Sequence, residues 1–276
     1  MTTIAAGVDL SPESEAAARW AAASARVGDR LLLVHGFAAA AALQPLSEFE
    51  LDFDVASTRD TAVAHVARLA DDLRAGHPDI DVRTLVEHEF PIPLLTRLSR
   101  DVDLLVLGHH RPGLIERLTT GSISSALSAR SQCPVVTVPY GNLATGGPVV
   151  AAIDADAPSD LALATAFRYA QATHSSVAVI SAIPDAAEPA LIEAVFARSE
   201  AVLAPWRERF PECHATLQLV NGNPSRAITD AVPQASLLVF TRPRAGGSLA
   251  TWAGSVARAA QHHTRCPIAI VDHSGR

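Results

Sequence analysis

The sequence predicts an α/β protein made of two tandem domains, each a five-stranded parallel-type sheet with helices on both faces. Three observations predict it. Short apolar runs alternate along the chain with stretches of helical periodicity or alanine-rich composition. The apolar runs, such as Leu31 to Val34 and Leu104 to Leu107, show no polar alternation, the mark of strands buried on both faces of a parallel sheet. The pattern also occurs twice. Leu104–Leu107, Gly121-Ser122, Cys133-Pro134 and Val135–Val138 return 133 residues later as Leu237–Phe240, Gly254-Ser255, Cys266-Pro267 and Ile268–Val271. A period of that length is duplication of a whole domain, far beyond the repeat of a solenoid.

The elements follow in order. Ile4 to Val8 is a short apolar strand ending at Asp9. Ser11-Pro12 marks a helix start, with serine as cap and proline at the first helical position, and Ala16 to Ala25 propagates it. Leu31 to Val34 is the second strand, closed by His35-Gly36-Phe37. Residues 38–56 read as a loop and the beginning of a helix. From Thr58 to Arg74, Val63, Val66, Leu69 and Leu73 recur at helical spacing, and Gly76 stops the run. Val82 to Val86 is a third strand, and Glu89-Phe90-Pro91 turns into a helix around Leu94, Leu95 and Leu98. Leu104–Leu107 ends at Gly108, and the polar loop His109-His110-Arg111-Pro112-Gly113 follows. Gly121-Ser122 then opens a helix that leads to the strand Val135–Val138.

The stretch 142–147 reads as a linker between domains at 1–141 and 148–276, being small, polar and glycine-rich. The programme then restarts. Val149 to Ile153 ends at Asp154, in the place of Asp9. Leu161 to Ala172 is helical, Val177 to Ile180 is a strand, and a long helix covers Leu191 to Arg209. Leu217 to Val220 is a strand with its turn at Asn221-Gly222-Asn223-Pro224, and Leu237–Phe240 ends at Thr241.

Composition narrows the function. Hydrophobic residues make up 49% and aromatics 5%, so the cores rest on Ala, Val, Leu and Ile. A net charge of -7 argues against a nucleic-acid binder. No stretch approaches a membrane span, and the N-terminus lacks the pattern of a signal peptide, so the expectation is a cytoplasmic, soluble protein. Cys133 and Cys266 are repeat partners and read as small buried apolar residues. His109-His110 has no third ligand, and His262-His263 suits the negative end of a helix, so neither reads as a metal site. Trp252 reads as a core or interface aromatic, and Ser11 as a cap rather than a nucleophile. A strand ending in glycine and a helix opening with Gly-Ser can together hold an anion, because glycine admits close approach and helix N-terminal N–H groups favour negative charge.

Gly7-Val8-Asp9-Leu10-Ser11-Pro12-Glu13-Ser14 resembles the opening of universal stress protein domains. Gly108-x-x-Arg111, nine residues and Gly121-Ser122 is similar to that family's nucleotide motif, Gly-x-x-Gly, nine residues, Gly-Ser/Thr. The ends of both halves, at Cys133-Pro134 and Cys266-Pro267, resemble the family as well. The resemblance implies a Rossmann-like sheet in each half and ATP at the carboxyl ends of the strands. Carried over by position, Asp9 contacts the adenine or ribose, the Gly36 backbone faces the adenine edge, and Gly108 lies beside ribose and phosphates. Gly121, Ser122, Ile123 and Ser124 bind phosphates. In the second half the matching positions are Asp154, Ala182, Thr241, Gly254, Ser255, Val256 and Ala257. The resemblance also implies that the last strands of the two halves meet across a pseudo-twofold axis, so that one chain imitates a dimer; further dimerisation of whole chains stays open.

The sequence departs from the motif. Arg111 takes the place of the second glycine, Thr241 and Arg244 replace both glycines in the second half, and Ala257 stands where Ser124 does. A side chain at such a position blocks backbone approach, or an arginine there pairs with the phosphate itself. The function expected is a stress-response regulatory or binding protein, with an adenine nucleotide in domain 1 and a degenerate site in domain 2. The alternative is a nucleotide-free scaffold acting through protein contacts. No Gly-x-x-x-x-Gly-Lys-Ser/Thr loop is present, and no general base is evident, so no enzyme is expected beyond slow, incidental ATP hydrolysis. Neither a divalent ion nor a protein partner is specified.

Overall fold

A computed structural model describes residues 1–37, 55–109, 123–141, 146–156, 158–222, 235–241 and 266–272, without the side chains at 55, 56, 58 and 123–125. The first half runs β1 (Thr3–Gly7), α1 (Pro12–Ser24), β2 (Arg30–Gly36), α2 (Val55–Gly76), β3 (Asp81–Glu87), α3 (Pro91–Leu98), β4 (Leu104–His109), α4 (Ile123–Arg130) and β5 (Val135–Pro139). The second runs β6 (Val149–Ile153), α5 (Asp160–Thr173), β7 (Val177–Ile183), α6 (Pro189–Arg209), β8 (Ala215–Asn221), β9 (Leu237–Thr241) and β10 (Ile268–Val271). The expected loop at 38–54 and the turn at 223–224 lie outside the described residues.

Local chemistry sets the helix ends. The Ser11 hydroxyl accepts from the Ser14 N–H at 3.2 Å, with Pro12 at the first helical position of α1. Ser159 does the same for α5, accepting from Ala162 N–H at 3.3 Å. His174 ends α5 in the left-handed region at φ 53°. α6 continues through Pro205.

The strands form one ten-stranded sheet in the order β3-β2-β1-β4-β5-β10-β9-β6-β7-β8. All pairs are parallel except β5 with β10. Each half is therefore a five-stranded parallel unit of identical order, and the halves join through their last strands as expected. The register makes the symmetry explicit. Ile4 pairs with Leu104 and Val149 with Leu237, so Ile4 corresponds to Val149 and, counting on, Asp9 to Asp154. Through the same ladders Gly36 corresponds to Ala182 and Gly108 to Thr241. Val136 pairs with Ala269, its own counterpart, so the pseudo-twofold axis passes through that pair.

The central strands β5, β6, β9 and β10 are buried nearly throughout, whereas the edge strands β3 and β8 carry exposed residues. This explains the absence of alternation in the apolar runs. One sheet face carries a single core that crosses both halves, under α1, α2, α5 and α6. On the other face each half has its own core.

Candidate nucleotide crevice at the strand switch point

In a sheet of order 3-2-1-4-5 the chain reverses its winding between β1 and β4, and a crevice opens there beyond the carboxyl ends of the strands. In the first half its floor is Gly7, Val8, Asp9, Gly36, Leu107 and Gly108. Ser11, Glu13 and Ser14 at the start of α1 form one wall, and Pro91 and Leu95 of α3 form the other. The enclosed part measures about 80 Å³.

Asp9 is oriented by its neighbours. Its Oδ1 accepts from the Ser11 N–H at 3.1 Å and from the Ser11 hydroxyl, and its own N–H donates to Ser14 Oγ at 3.2 Å. Partial desolvation pushes its carboxyl up. The hydrogen bonds from Ser11 and Ser14 outweigh that, and the group lies below the ordinary carboxylate range. Asp9 is thus an ionised acceptor, held in place by the start of α1. Leu10, between Asp9 and the cap, has φ 67°. A leucine in the left-handed region is strained, and such strain collects at functional sites. Behind Asp9, His35 Nδ1 donates to the Val8 carbonyl at 2.7 Å and ties the end of β1 to β2.

The glycines have packing reasons of their own. A Cβ on Gly108 would lie 2.6 Å from the Glu13 carbonyl carbon, 2.7 Å from its oxygen and 2.8 Å from Ser14 N. A Cβ on Gly36 would lie 2.7 Å from the Glu89 carbonyl oxygen. Both allow a helix N-terminus to sit directly on a strand end.

The two halves differ at this point. The cap Ser11 stands two residues after Asp9, whereas Ser159 stands five after Asp154. The start of α5 is therefore set further along the chain from the strand, and the half-buried Thr241 is accommodated where the first half needs Gly108. Asp154 Oδ1 accepts from the Asp156 N–H at 3.0 Å, and Asp156 in turn pairs with Arg198 of α6. Asp9 and Asp154 thus share a sheet position but not a setting.

The structure brings Asp9, Gly36 and Gly108 together. Arg111, Gly121, Ser122, Gly254 and Ser255 lie outside the described residues, and Ile123 and Ser124 are placed only as the first residues of α4. Sequence reasoning missed Leu10, Glu13, His35, Pro91 and Leu95. His35 directly before Gly36 was a readable signal; the contribution of α3 was not, because it depends on how a distant helix settles. Among the described residues no His/Cys/Asp/Glu group can hold a metal. Cys133, Cys213 and Cys266 are buried and form no disulfide among the described residues, and burial pushes the Cys266 thiol up to about 12.

A duplicated five-stranded parallel unit, joined through its last strands and open at the switch point, defines a class of tandem doubly wound α/β proteins. The sequence pattern of the universal stress protein family matches residues 1–139 and 147–272, and the chain belongs to that family. A universal stress protein of Mycobacterium bovis is 29% identical over 98% of this chain and 97% of its own. One of Mycobacterium tuberculosis is 29% identical over 98% of this chain and 96% of its own. The crystal structure of a universal stress protein from Archaeoglobus fulgidus superposes with a TM-score of 0.73 at 16% identity, covering 99% of this chain and 97% of that one. The cytoplasmic domain of a prokaryotic cation chloride cotransporter reaches 0.58 at 12% identity, covering 99% and 95%. The fold is shared more widely than any one function. No helix among the described residues is long and apolar enough to cross a membrane.

Proposed function

We propose that the chain is a nucleotide-responsive regulatory protein of the stress response, not an enzyme, with an adenine nucleotide bound in the first half. The observation that carries this reading is the ionised, pre-oriented Asp9 at the switch point, held by Ser11 behind a strained Leu10. Asp9 and Glu13 line the described crevice, so that end suits hydroxyl and amino donors of a ribose and base. A polyphosphate would be repelled there. Its place is toward the start of α4, where Gly121, Ser122, Ile123, Ser124 and Arg111 stand in the sequence. The second half keeps Asp154, Gly254 and Ser255 but has a longer approach to α5 and Thr241 at the strand end, and we propose that it does not bind.

A second reading has its own support. Gly36 and Gly108 are explained by helix packing alone, so a scaffold that binds no nucleotide would keep them too.

Calorimetric titration with ATP separates the readings. Wild type binds one equivalent, Asp9→Asn weakens binding about tenfold or more through a lost charge-assisted hydrogen bond, Gly121→Glu abolishes it, and Gly254→Glu leaves it intact. Loss with Gly254→Glu alone would move the site to the second half. No binding by wild type, and no nucleotide released on denaturing protein purified from cells, would leave the scaffold.

A further inference from the structure

At the opposite ends of the same strands lies a larger cavity, of about 430 Å³, between the two halves. One wall is the end of α1, with Trp20, Ser24 and Arg26. The other is α5, which presents Leu161, Thr165, Arg168, Tyr169 and Ala172. Those five positions fall on one helical stripe, beside the stripe Ala162, Leu163, Ala166, Phe167 and Ala170 that faces the core. Leu104, Leu161 and Ala172 offer its apolar surface, with Ile4, Val136 and Leu237 almost sealed beneath. The volume falls within the range of small-molecule sites, which favour interfaces between domains.

The walls are fixed across the join. Trp20 and Tyr169 stack with ring centroids 5.5 Å apart at 18°, and Arg26 Nη2 donates to the Arg168 carbonyl at 2.8 Å. Desolvation pushes the Tyr169 phenol up, so its O–H remains a donor.

The polar groups on the rim are unequal. Asp29 is buried, and its two oxygens accept from the N–H groups of Thr2 at 2.6 Å and Arg26 at 3.0 Å. Asp103 accepts from the Thr3 N–H at 2.8 Å. The acidic groups are therefore engaged by the chain's own amides. The exposed Arg168 guanidinium has no acceptor among the described residues. A ligand with one negative charge pairs with Arg168, while a polyanion meets Asp29 and Asp103. Arg26 lines the same cavity but is turned to the Arg168 carbonyl, so an apolar lining beside the open Arg168 guanidinium suits a molecule that is apolar at one end and carboxylate at the other.

We infer that this inter-half cavity is a second ligand site, distinct from the nucleotide crevice, for an amphipathic monocarboxylate. The carboxylate lies on Arg168 and the apolar part on Leu104, Leu161 and Ala172.

Octanoate and its neutral isostere octanamide are the probes, titrated calorimetrically into the full chain without nucleotide. Octanoate binds saturably at one site, and octanamide binds about tenfold more weakly. Arg168→Gln reduces octanoate affinity about tenfold, and Ala172→Phe, which fills the cavity from its rim, abolishes binding. Arg97→Gln, an exposed arginine of α3 already paired with Glu87 and Glu89, leaves it unchanged. Thermal melting of each variant shows that it is folded. Absence of saturable binding by wild type, equal affinity for octanoate and octanamide, equal loss in Arg97→Gln, or wild-type binding by both Arg168→Gln and Ala172→Phe overturns the inference.

Discussion

Replacing Gly108 by alanine puts a methyl group 2.6–2.8 Å from three backbone atoms of Glu13 and Ser14. None of these is the end of a flexible side chain that could swing aside. Reaching ordinary contact requires the start of α1 to retreat by roughly 0.8 Å. That start carries the Ser11 cap, and the cap holds Asp9. Overpacking of this kind costs about 1–3 kcal/mol, and each kcal/mol lowers the melting temperature by roughly 2–4 °C in a chain of this size. Nucleotide affinity should fall in parallel, because the carboxylate moves with its helix. The matched control is Gly76→Ala at the end of α2, where a Cβ meets nothing within 4 Å. That change should be neutral or stabilising by roughly 0.5–1 kcal/mol. Thermal melting and urea titration of both variants give the comparison. If Gly108→Ala melts with wild type, α1 does not rest on Gly108 and the account of the half-to-half difference at Thr241 fails with it.

Two further outcomes follow from the same geometry. Val136→Glu and Ala269→Glu each place a charge at a fully buried pair on the pseudo-twofold axis. Several kcal/mol of desolvation should part or unfold the halves, seen as an expanded radius of gyration in small-angle scattering; an unchanged radius and melting temperature would show that β5 and β10 do not hold the halves together. Asp9 titrates below its ordinary range in the folded protein, so its contribution to stability is complete above the unfolded value of about 3.9 and fades as pH falls through the folded value. The stability gap between wild type and Asp9→Asn should therefore be constant near neutrality and shrink below about pH 4, and a gap that grows on acidification would contradict the hydrogen bonding at Ser11.

Much of this architecture was legible because its signals are local. Leu31 to Val34 and Leu104 to Leu107 announce two-sided burial in four residues each, and Ser11-Pro12 announces the start of α1 within two. Duplication was visible because both copies kept their strand-ending landmarks, and the strand registers agree with that alignment down to Asp9 and Asp154. The site was legible only in part. Asp9 and Gly108 stood out by position, but Glu13, Pro91 and Leu95 gave no sign of lining the crevice.

The sequence by itself determined the α/β class, the order of strands and helices, the repetition of the domain and the acidic residue at the end of each first strand. Hydrophobic period, caps and repeated landmarks all act within a few residues, so they survive without knowledge of neighbours. Only the tertiary structure decided that Gly108 is the seat of α1, and that α5 begins late enough to admit Thr241. It alone opened a cavity beside the stacked Trp20 and Tyr169, residues that lie in different halves of the chain. Those features depend on distances between elements brought together by the pairing of β5 with β10. Such distances are set by the packing of many side chains at once, and no short stretch of chain encodes them.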